Sequence, residues 1–456
     1  MLMGDDEKGS GVPAPLTRGS AAYHLRKLAT PMIVGLLAIL SFDAIDLFFV
    51  AQLGDAPLAA FAFTFPVILF VGSIGIGFEA GAASCVSRAV GQGDAELASR
   101  LTTDTVTLTV SIALIVALLG VYTLPIIFPM LGATSELMPL VHDYMDIWYW
   151  TVPPSMAMWV SLAAIRARGN SLFESKLLSA SAAINAILDP ILIFGLFGFP
   201  RMELQGAALA SLIANLVTLS YTVLVLHLRF HAYANPIAGF KTILSSWRRM
   251  LRIGIPAMAT NTIIPVANGI VVAMLAVYGT DVVAGFGIAM RIEPIALIAF
   301  YALSAVASPF AGQNFGAGEY GRVGEALRVI TLFCAGSGLL LAVALGVLAQ
   351  HLVGLFSEAA DIARVAVHYL WIVPISYGAY GLVMSVNATF NGMGYPLPGV
   401  LLSAARVLII FLPLAFAGRA VFGIEGLFAA SALSNLIVGA AAFVWLRHRL
   451  NAIQRG

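Results

Sequence analysis

Pro31-Met-Ile-Val-Gly-Leu-Leu-Ala-Ile-Leu-Ser-Phe-Asp-Ala-Ile-Asp-Leu-Phe-Phe-Val-Ala51 is an apolar run whose only ionisable side chains are Asp43 and Asp46. A bilayer's hydrocarbon core is about 30 Å thick and takes about 20 helical residues to cross. Backbone polar groups in lipid must find partners within the segment, so a run of this kind predicts a helix. Comparable runs cover 111–128, 177–199, 329–349 and 396–417. Of 456 residues, 60% are hydrophobic and 10% charged. A soluble domain carries about a quarter of its residues charged, and the mean hydropathy here is +0.95. The chain therefore reads as an all-α integral membrane protein. Its net charge of +1 gives no reason to expect nucleic acid as a partner. Cys85 and Cys334 lie in apolar runs and read as small buried residues rather than a disulfide.

Twelve spans fit the hydropathy, centred on 31–51, 58–80, 104–126, 140–164, 177–199, 206–228, 254–278, 283–309, 328–349, 366–390, 397–418 and 425–446. Lysine and arginine concentrate in the first tail and in every second loop, from Arg26, Lys27, Arg88 and Arg100 through Arg166 and Arg168 to Arg248, Arg249, Arg252, Arg322 and Arg328. The opposite loops hold only Arg201, Arg364 and Arg419. The positive-inside bias then predicts a multi-pass protein of the cell (inner) membrane with both termini cytoplasmic. Residues 1–28 read as a disordered cytoplasmic tail, with no apolar core and cleavage site of a signal peptide. Two six-helix bundles are expected over 29–228 and 253–446, and 447–456 closes the chain as a second cytoplasmic tail. Between the bundles, 229–252 places Phe240, Ile243, Leu244, Trp247, Met250 and Leu251 at helical spacing among basic residues. That pattern predicts an amphipathic linker helix at the cytoplasmic surface.

The two halves repeat. Pro31, Gly54, Ala59, Phe61, Gly91, Gly93 and Gly169 stand 225 positions before Pro256, Gly279, Ala284, Phe286, Gly316, Gly318 and Gly394. Chance matches among apolar residues are common, but matches of Gly and Pro at one offset are not. Six spans per copy is an even number, so both copies enter the membrane in the same sense and are related by a pseudo-twofold axis along the membrane normal. Two such bundles facing a central cleft make an alternating-access architecture.

Four segments resemble motifs of the multidrug and toxic compound extrusion (MATE) family. They are Asp46-Leu-Phe-Phe-Val-Ala-Gln-Leu-Gly54, Ser87-Arg-Ala-Val-Gly-Gln-Gly-Asp94, Asn185-Ala-Ile-Leu-Asp-Pro-Ile-Leu-Ile-Phe-Gly195 and Gly312-Gln-Asn-Phe-Gly-Ala-Gly318. The resemblance implies a secondary active antiporter that exports amphipathic, often cationic compounds in exchange for H⁺ or Na⁺. Its partners would be small amphipathic substrates and the bilayer, with no cofactor beyond the coupling ion, and the chain is expected to act as a monomer.

A charged side chain at mid-membrane costs about 2.5–3.5 kcal/mol on insertion scales, so one retained there usually has a task. Asp46 and Asp189 match acidic positions of the family motifs, and the second copy has Val271 and Leu412 in their places. The acids are thus not needed to build a six-helix unit, and they are the expected site of proton or cation coupling. Asn185 lies one turn before Asp189 on the same face and would orient its carboxylate or offer an oxygen to Na⁺. Asp46, Asn185 and Asp189 are therefore the candidate Na⁺ ligands. In the family a fourth-helix tyrosine joins this cluster, and Tyr144 is the matching position. A sixth-helix hydroxyl of some relatives is replaced by Ala207 or Ala208, with Ser211 the nearest substitute.

Asp43 reads as either a third member of the cluster or a solvated cleft residue. Glu79, Glu293 and Arg291 are candidate cleft-lining charges, and Arg406 is expected to snorkel to the interface. Pro31 removes one helical hydrogen bond and matches the position at which the family is thought to bend its first helix. The alternative role for Pro31 is to set the helix entry, as its counterpart Pro256 would. Trp148, Tyr149 and Trp150 read as an interfacial aromatic belt.

A flippase for lipid-linked oligosaccharides shares this architecture, and it would need several cations facing the cleft. An intramembrane enzyme is disfavoured: there is no zinc or serine-elbow motif, and the Gly91-Gln-Gly-Asp94 segment sits in a charged loop.

Overall fold

Three pairs of glycines set by the repeat punctuate the chain. In the computed structural model, which describes residues 14–237 and 239–455, Gly54 and Gly279 have φ of 114° and 113°. Gly93 and Gly318 have 73° and 78°, and Gly169 and Gly394 have 87° and 85°. A side chain is strained at such angles, so these residues end helices at the same places in both copies.

The first half comprises α1 (Ala21–Ala51), α2 (Asp55–Gly91), α3 (Ala95–Met130), α4 (Met138–Ala167), α5 (Ser171–Phe194) and α6 (Glu203–Leu228). Loop chemistry fixes their starts: Asp94 accepts the Leu97 N–H at 2.8 Å and Asn170 the Phe173 N–H at 3.1 Å, each satisfying an orphan donor of the first turn. The second half begins with α7 (Phe240–Ala276), followed by α8 (Thr280–Ala296) and α9 (Ile298–Gly316), which make one span bent by 49°. After α10 (Tyr320–Gly354), α11 (Ala360–Ile372) and α12 (Tyr377–Met393) join through a 3₁₀ turn around Pro374. A π-helical stretch, Ala405–Phe411, links α13 (Leu397–Ala404) to α14 (Leu412–Arg455). The chain reverses inside α14 at Gly423, where the backbones of Gly418 and Gly426 come into contact. With that reversal counted, twelve segments form two six-helix lobes.

The lobes meet mainly through α2, which packs on α7 and α9. This seam has two-fold symmetry. Gly91 lies against the backbone of Gln313, and Gly316 lies against the backbone of Arg88. Positions 88 and 313, like 91 and 316, are related by the repeat offset, so the same contact is made twice with roles exchanged, as an isologous interface requires. Ser84 reinforces it by donating to the Asn391 carbonyl. The seam lies at the end of the molecule that carries most of the arginines, here called the basic face.

Two expectations about the chain's connections need correction. The tail expected through residue 28 falls partly outside the described residues, but from Ala14 onward it is built into the fold. Pro15–Thr17 forms a 3₁₀ turn and α1 starts at Ala21. Leu16 is buried; its N–H donates to Gln313 Oε1 at 3.1 Å, and its carbonyl accepts from Asn314 and from Arg322. Gln313 in turn donates to the Ala167 carbonyl of the first lobe at 2.7 Å. The strap fills a gap in the symmetry. Around Gly394 the space is occupied by the Arg88 guanidinium; around Gly169 the counterpart of that arginine is the shorter Gln313, and Pro15 and Leu16 supply the missing bulk. Burying a leucine side chain contributes about 1.5–3 kcal/mol, which, with the hydrogen bonds to Gln313, Asn314 and Arg322, offsets the cost of ordering the strap.

The expected linker helix does form, but as the first turns of α7 rather than as a separate surface element. Met250 is buried against α2, where Gly81 lets it approach. Ahead of it the chain crosses α3, with the Ala234 N–H donating to Thr103 at 2.9 Å and Arg100 donating to the Asn235 carbonyl at 2.6 Å.

Candidate functional site

Helices α1 and α5 pack along each other in the first lobe, with Ser171 donating to the Leu28 carbonyl at 2.8 Å and Ser175 to the Pro31 carbonyl at 2.5 Å. Helix α1 continues through Pro31, fifteen residues before Asp46. Further along the pair, Asp46 and Asp189 are 4% and 0% exposed and lie within charge–charge range of each other and of Tyr144. Tyr144 is itself buried, held edge-on by Phe61 at 5.0 Å between ring centres. Asn185 is fully buried and donates to Ser211 at 3.3 Å, the nearest sixth-helix hydroxyl; Ala207 and Ala208 are buried on the same helix. Asp43 is within charge range of Asp46 but is exposed.

The oxygens of this cluster are left unspent. Among the described residues, Asp46 Oδ1, Asn185 Oδ1 and both carboxylate oxygens of Asp189 are buried without a hydrogen-bond partner. A buried polar group left unsatisfied costs about 1–3 kcal/mol, more when charged. The donor set of two carboxylates and an amide oxygen is hard and anionic, which suits H⁺ or a monovalent cation such as Na⁺. No cluster of three or more His, Cys, Asp or Glu suited to a tightly held metal occurs among the described residues.

Two charge clusters differ from the sequence expectation. Arg166, counted among the loop cations, is buried at the end of α4 and forms ion pairs with Glu174 on α5 and with Glu79 on α2, the latter at 2.5 Å. Glu79 turns its other side to a central cavity of about 320 Å³ that both lobes line. Arg406 does not snorkel: its Nη1 donates to Asn435 Oδ1 at 3.0 Å and its guanidinium lies 4.8 Å from the centre of the Tyr380 ring. It faces the central cavity and also a pocket of about 230 Å³ inside the second lobe. Glu293 is in that second pocket, its Oε2 accepting from Tyr369 and, at 3.0 Å, from Tyr377. The turn at Pro374 brings both tyrosines to one side. Arg291 is exposed and makes no ion pair among the described residues, so it does not join Glu293. Tyr149, expected in an aromatic belt, is instead core, packed against Gly120, whereas Trp150 is exposed.

The MatE family profile matches residues 31–191 and 256–417, once in each lobe and starting at Pro31 and Pro256. The chain is a MATE-family transporter. It is 35% identical to the FAD transporter of Shewanella oneidensis, over 92% of this chain and 93% of that one. With the multidrug export protein MepA of Staphylococcus aureus it shares 25% identity over 92% and 93% of the two chains. A crystal structure of a mutant of the Vibrio cholerae MATE transporter VcmN superposes with a TM-score of 0.91, covering 95% of this chain and 97% of that one at 28% identity. MATE membership makes the protein a transporter rather than an enzyme and a multi-pass membrane protein.

Proposed function

We propose that this MATE transporter is a secondary active antiporter that exports amphipathic small molecules in exchange for H⁺ or Na⁺, with Asp46 and Asp189 carrying the coupling ion. The observation behind this reading is the pair of buried carboxylates of which three oxygens, Asp46 Oδ1 and both of Asp189, have no hydrogen-bond partner among the described residues. A proton or cation entering the cluster relieves the cost of those unmet oxygens, and its departure restores it. Such a ligand shifts the balance between two shapes of the protein by its differential affinity for them. Asn185 and Tyr144 shape the site, and Asp43 lies at its exposed edge. Pro31 leaves the Lys27 carbonyl without its helical donor, so α1 is weakest where a bend would carry motion from Asp46 toward the seam. The basic face is assigned to the cytoplasm of the cell membrane by the positive-inside bias, and one chain contains both lobes that alternating access needs, so a monomer suffices.

For substrates, the 35% relationship to an FAD transporter and the 25% relationship to a multidrug exporter put flavin dinucleotide and lipophilic cationic dyes first in line. The decisive experiment is transport in proteoliposomes under an imposed H⁺ or Na⁺ gradient. Asp46→Asn and Asp189→Asn should each abolish gradient-driven movement, and the gradient that drives the wild type names the ion. Transport unchanged in both variants removes the assignment. Of the cations facing the cavity, Arg166 is neutralised by two carboxylates and Arg406 has Glu293 within charge range, which leaves little support for a lipid-linked pyrophosphate flippase.

A further inference from the structure

Arg406 stands in an irregular stretch of helix. It is the second residue of the π-helical stretch Ala405–Phe411, which joins α13 to α14. A π-turn rotates the side chains that follow relative to an α-helical register, and such turns concentrate at functional sites. The arginine at the start of this stretch faces the protein interior, where Tyr301, Tyr380 and Arg406 line both the central cavity and the pocket of the second lobe.

The guanidinium is only partly used. One face stacks on Tyr380 and one terminal nitrogen is bonded to Asn435. Nε is buried and has no hydrogen-bond partner among the described residues. An arginine stacked on an aromatic ring keeps its in-plane donors, and the Nε edge presents two parallel N–H groups at the spacing of a carboxylate or phosphate. Glu293 lies within charge range of Arg406 but does not consume that edge: its Oε2 accepts from Tyr369 and Tyr377, and among the described residues it makes no ion pair with the guanidinium. Around the cation the surfaces are flat and aromatic, and Phe286 and Phe428, stacked at 6.4 Å, line the same pocket. A planar ring system fits against such surfaces through offset or edge contacts.

We propose that Arg406, with Tyr380 and Tyr301, forms an anion-recognising subsite for planar aromatic solutes that bear a phosphate or carboxylate. The ring lies among the tyrosines and the anionic group takes the free guanidinium edge. This deepens, and rests on, the reading of the protein as an exporter. It also separates the two substrate classes considered above, because a lipophilic cation gains nothing from Arg406.

The test uses purified full-length protein in detergent and three probes with one isoalloxazine ring. Riboflavin is uncharged, whereas FMN and FAD carry phosphate. Binding is read from quenching of flavin fluorescence, without any ion gradient, so it is independent of coupling at Asp46 and Asp189. The wild type should bind FMN and FAD at least about ten-fold more tightly than riboflavin, a charge-assisted contact being worth that much. Arg406→Gln should bring FMN and FAD down to the affinity of riboflavin in the same variant, and Arg406→Lys, which keeps the charge but not the fork, should keep only part of the preference. Equal affinities for riboflavin and FMN in the wild type would overturn the proposal even if a variant fails to fold. So would a preference that survives in folded Arg406→Gln. If instead FMN binds as expected but gradient-driven transport does not depend on Asp46 and Asp189, the coupling assignment fails and the subsite stands.

Discussion

Ser87 fills the space that a β-carbon on Gly312 would need, and Gly312 is its own counterpart in the repeat, 225 positions along the chain. A residue that touches its counterpart lies on the axis relating the two copies. The lobes therefore close on the basic face around a line of small residues, where backbone meets backbone and little can be added. Gly91→Val and Gly312→Val should each destabilise the closed seam by about 1–3 kcal/mol through overpacking. Thermal unfolding in detergent checks this, with Gly336→Ala as the control. Gly336 has open space around it on α10, and alanine there should stabilise by up to about 1 kcal/mol through helix propensity.

The native cysteines give a readout of the same seam. Cys85 stands on α2 beside Ser84, and both it and Cys334 are buried. A buried thiol reacts only when its surroundings open. In a Cys334→Ala background, maleimide labelling of Cys85 should be slow in the resting protein. Leu16→Asp, which removes the strap's anchor, should speed it about ten-fold or more. An unchanged rate would mean that the strap does not hold the lobes together.

The Arg166 cluster makes a sharper demand on stability. Its guanidinium and the Glu174 carboxylate are each 3% exposed, and Glu79 completes the triad. Removing the cation alone leaves two carboxylates facing each other, so Arg166→Met should cost about 3–5 kcal/mol. Arg166→Met combined with Glu174→Met removes the buried pair together and should recover much of that loss. Thermal melts of the single and double variants check the non-additivity, which independent sites would not show.

The carboxylate cluster of the first lobe predicts a difference between binding and turnover. Asp46→Asn keeps the volume of the side chain and removes its charge, so the fold should survive with melting close to the wild type. Gradient-driven export should fall at least about ten-fold, while flavin binding in the second lobe remains. Parallel loss of melting temperature and binding would point to a structural role for Asp46 instead.

Much of this was legible in the sequence, for identifiable reasons. A glycine with positive φ is written directly as a glycine, so Gly54, Gly93, Gly169 and their counterparts announce the turns and the repeat together. A carboxylate inside an apolar run also stands out, which is why Asp46 and Asp189 could be paired before their helices were placed. Arginines near helix ends are harder. Counting them as solvated loop charges hid Arg166, whose partners lie across the Gly169 turn and on a helix far away in sequence. The acid eight residues beyond it, on the other side of a tight turn, was the available signal. Arg406 reads as a snorkelling residue from its depth near a helix end, but depth does not say which way a side chain faces, and its partners Asn435 and Tyr380 are distant in sequence. Nor was there a signal to separate the linker helix from the seventh span, since no stop residue lies between Met250 and Gly254 and the helix runs on through Pro256.

The strap has a practical corollary for anyone handling this transporter. Its first turn is wedged where the two lobes must part if the basic face is ever to gape, so a bulky fusion joined close to Ala14 would be set against moving parts. The last helix, by contrast, runs out through Arg455 with exposed side chains around Asn451. Affinity handles, fluorescent proteins and surface tethers belong at that end, and a loss of activity seen only with amino-terminal fusions would be the ordinary result of propping a hinge.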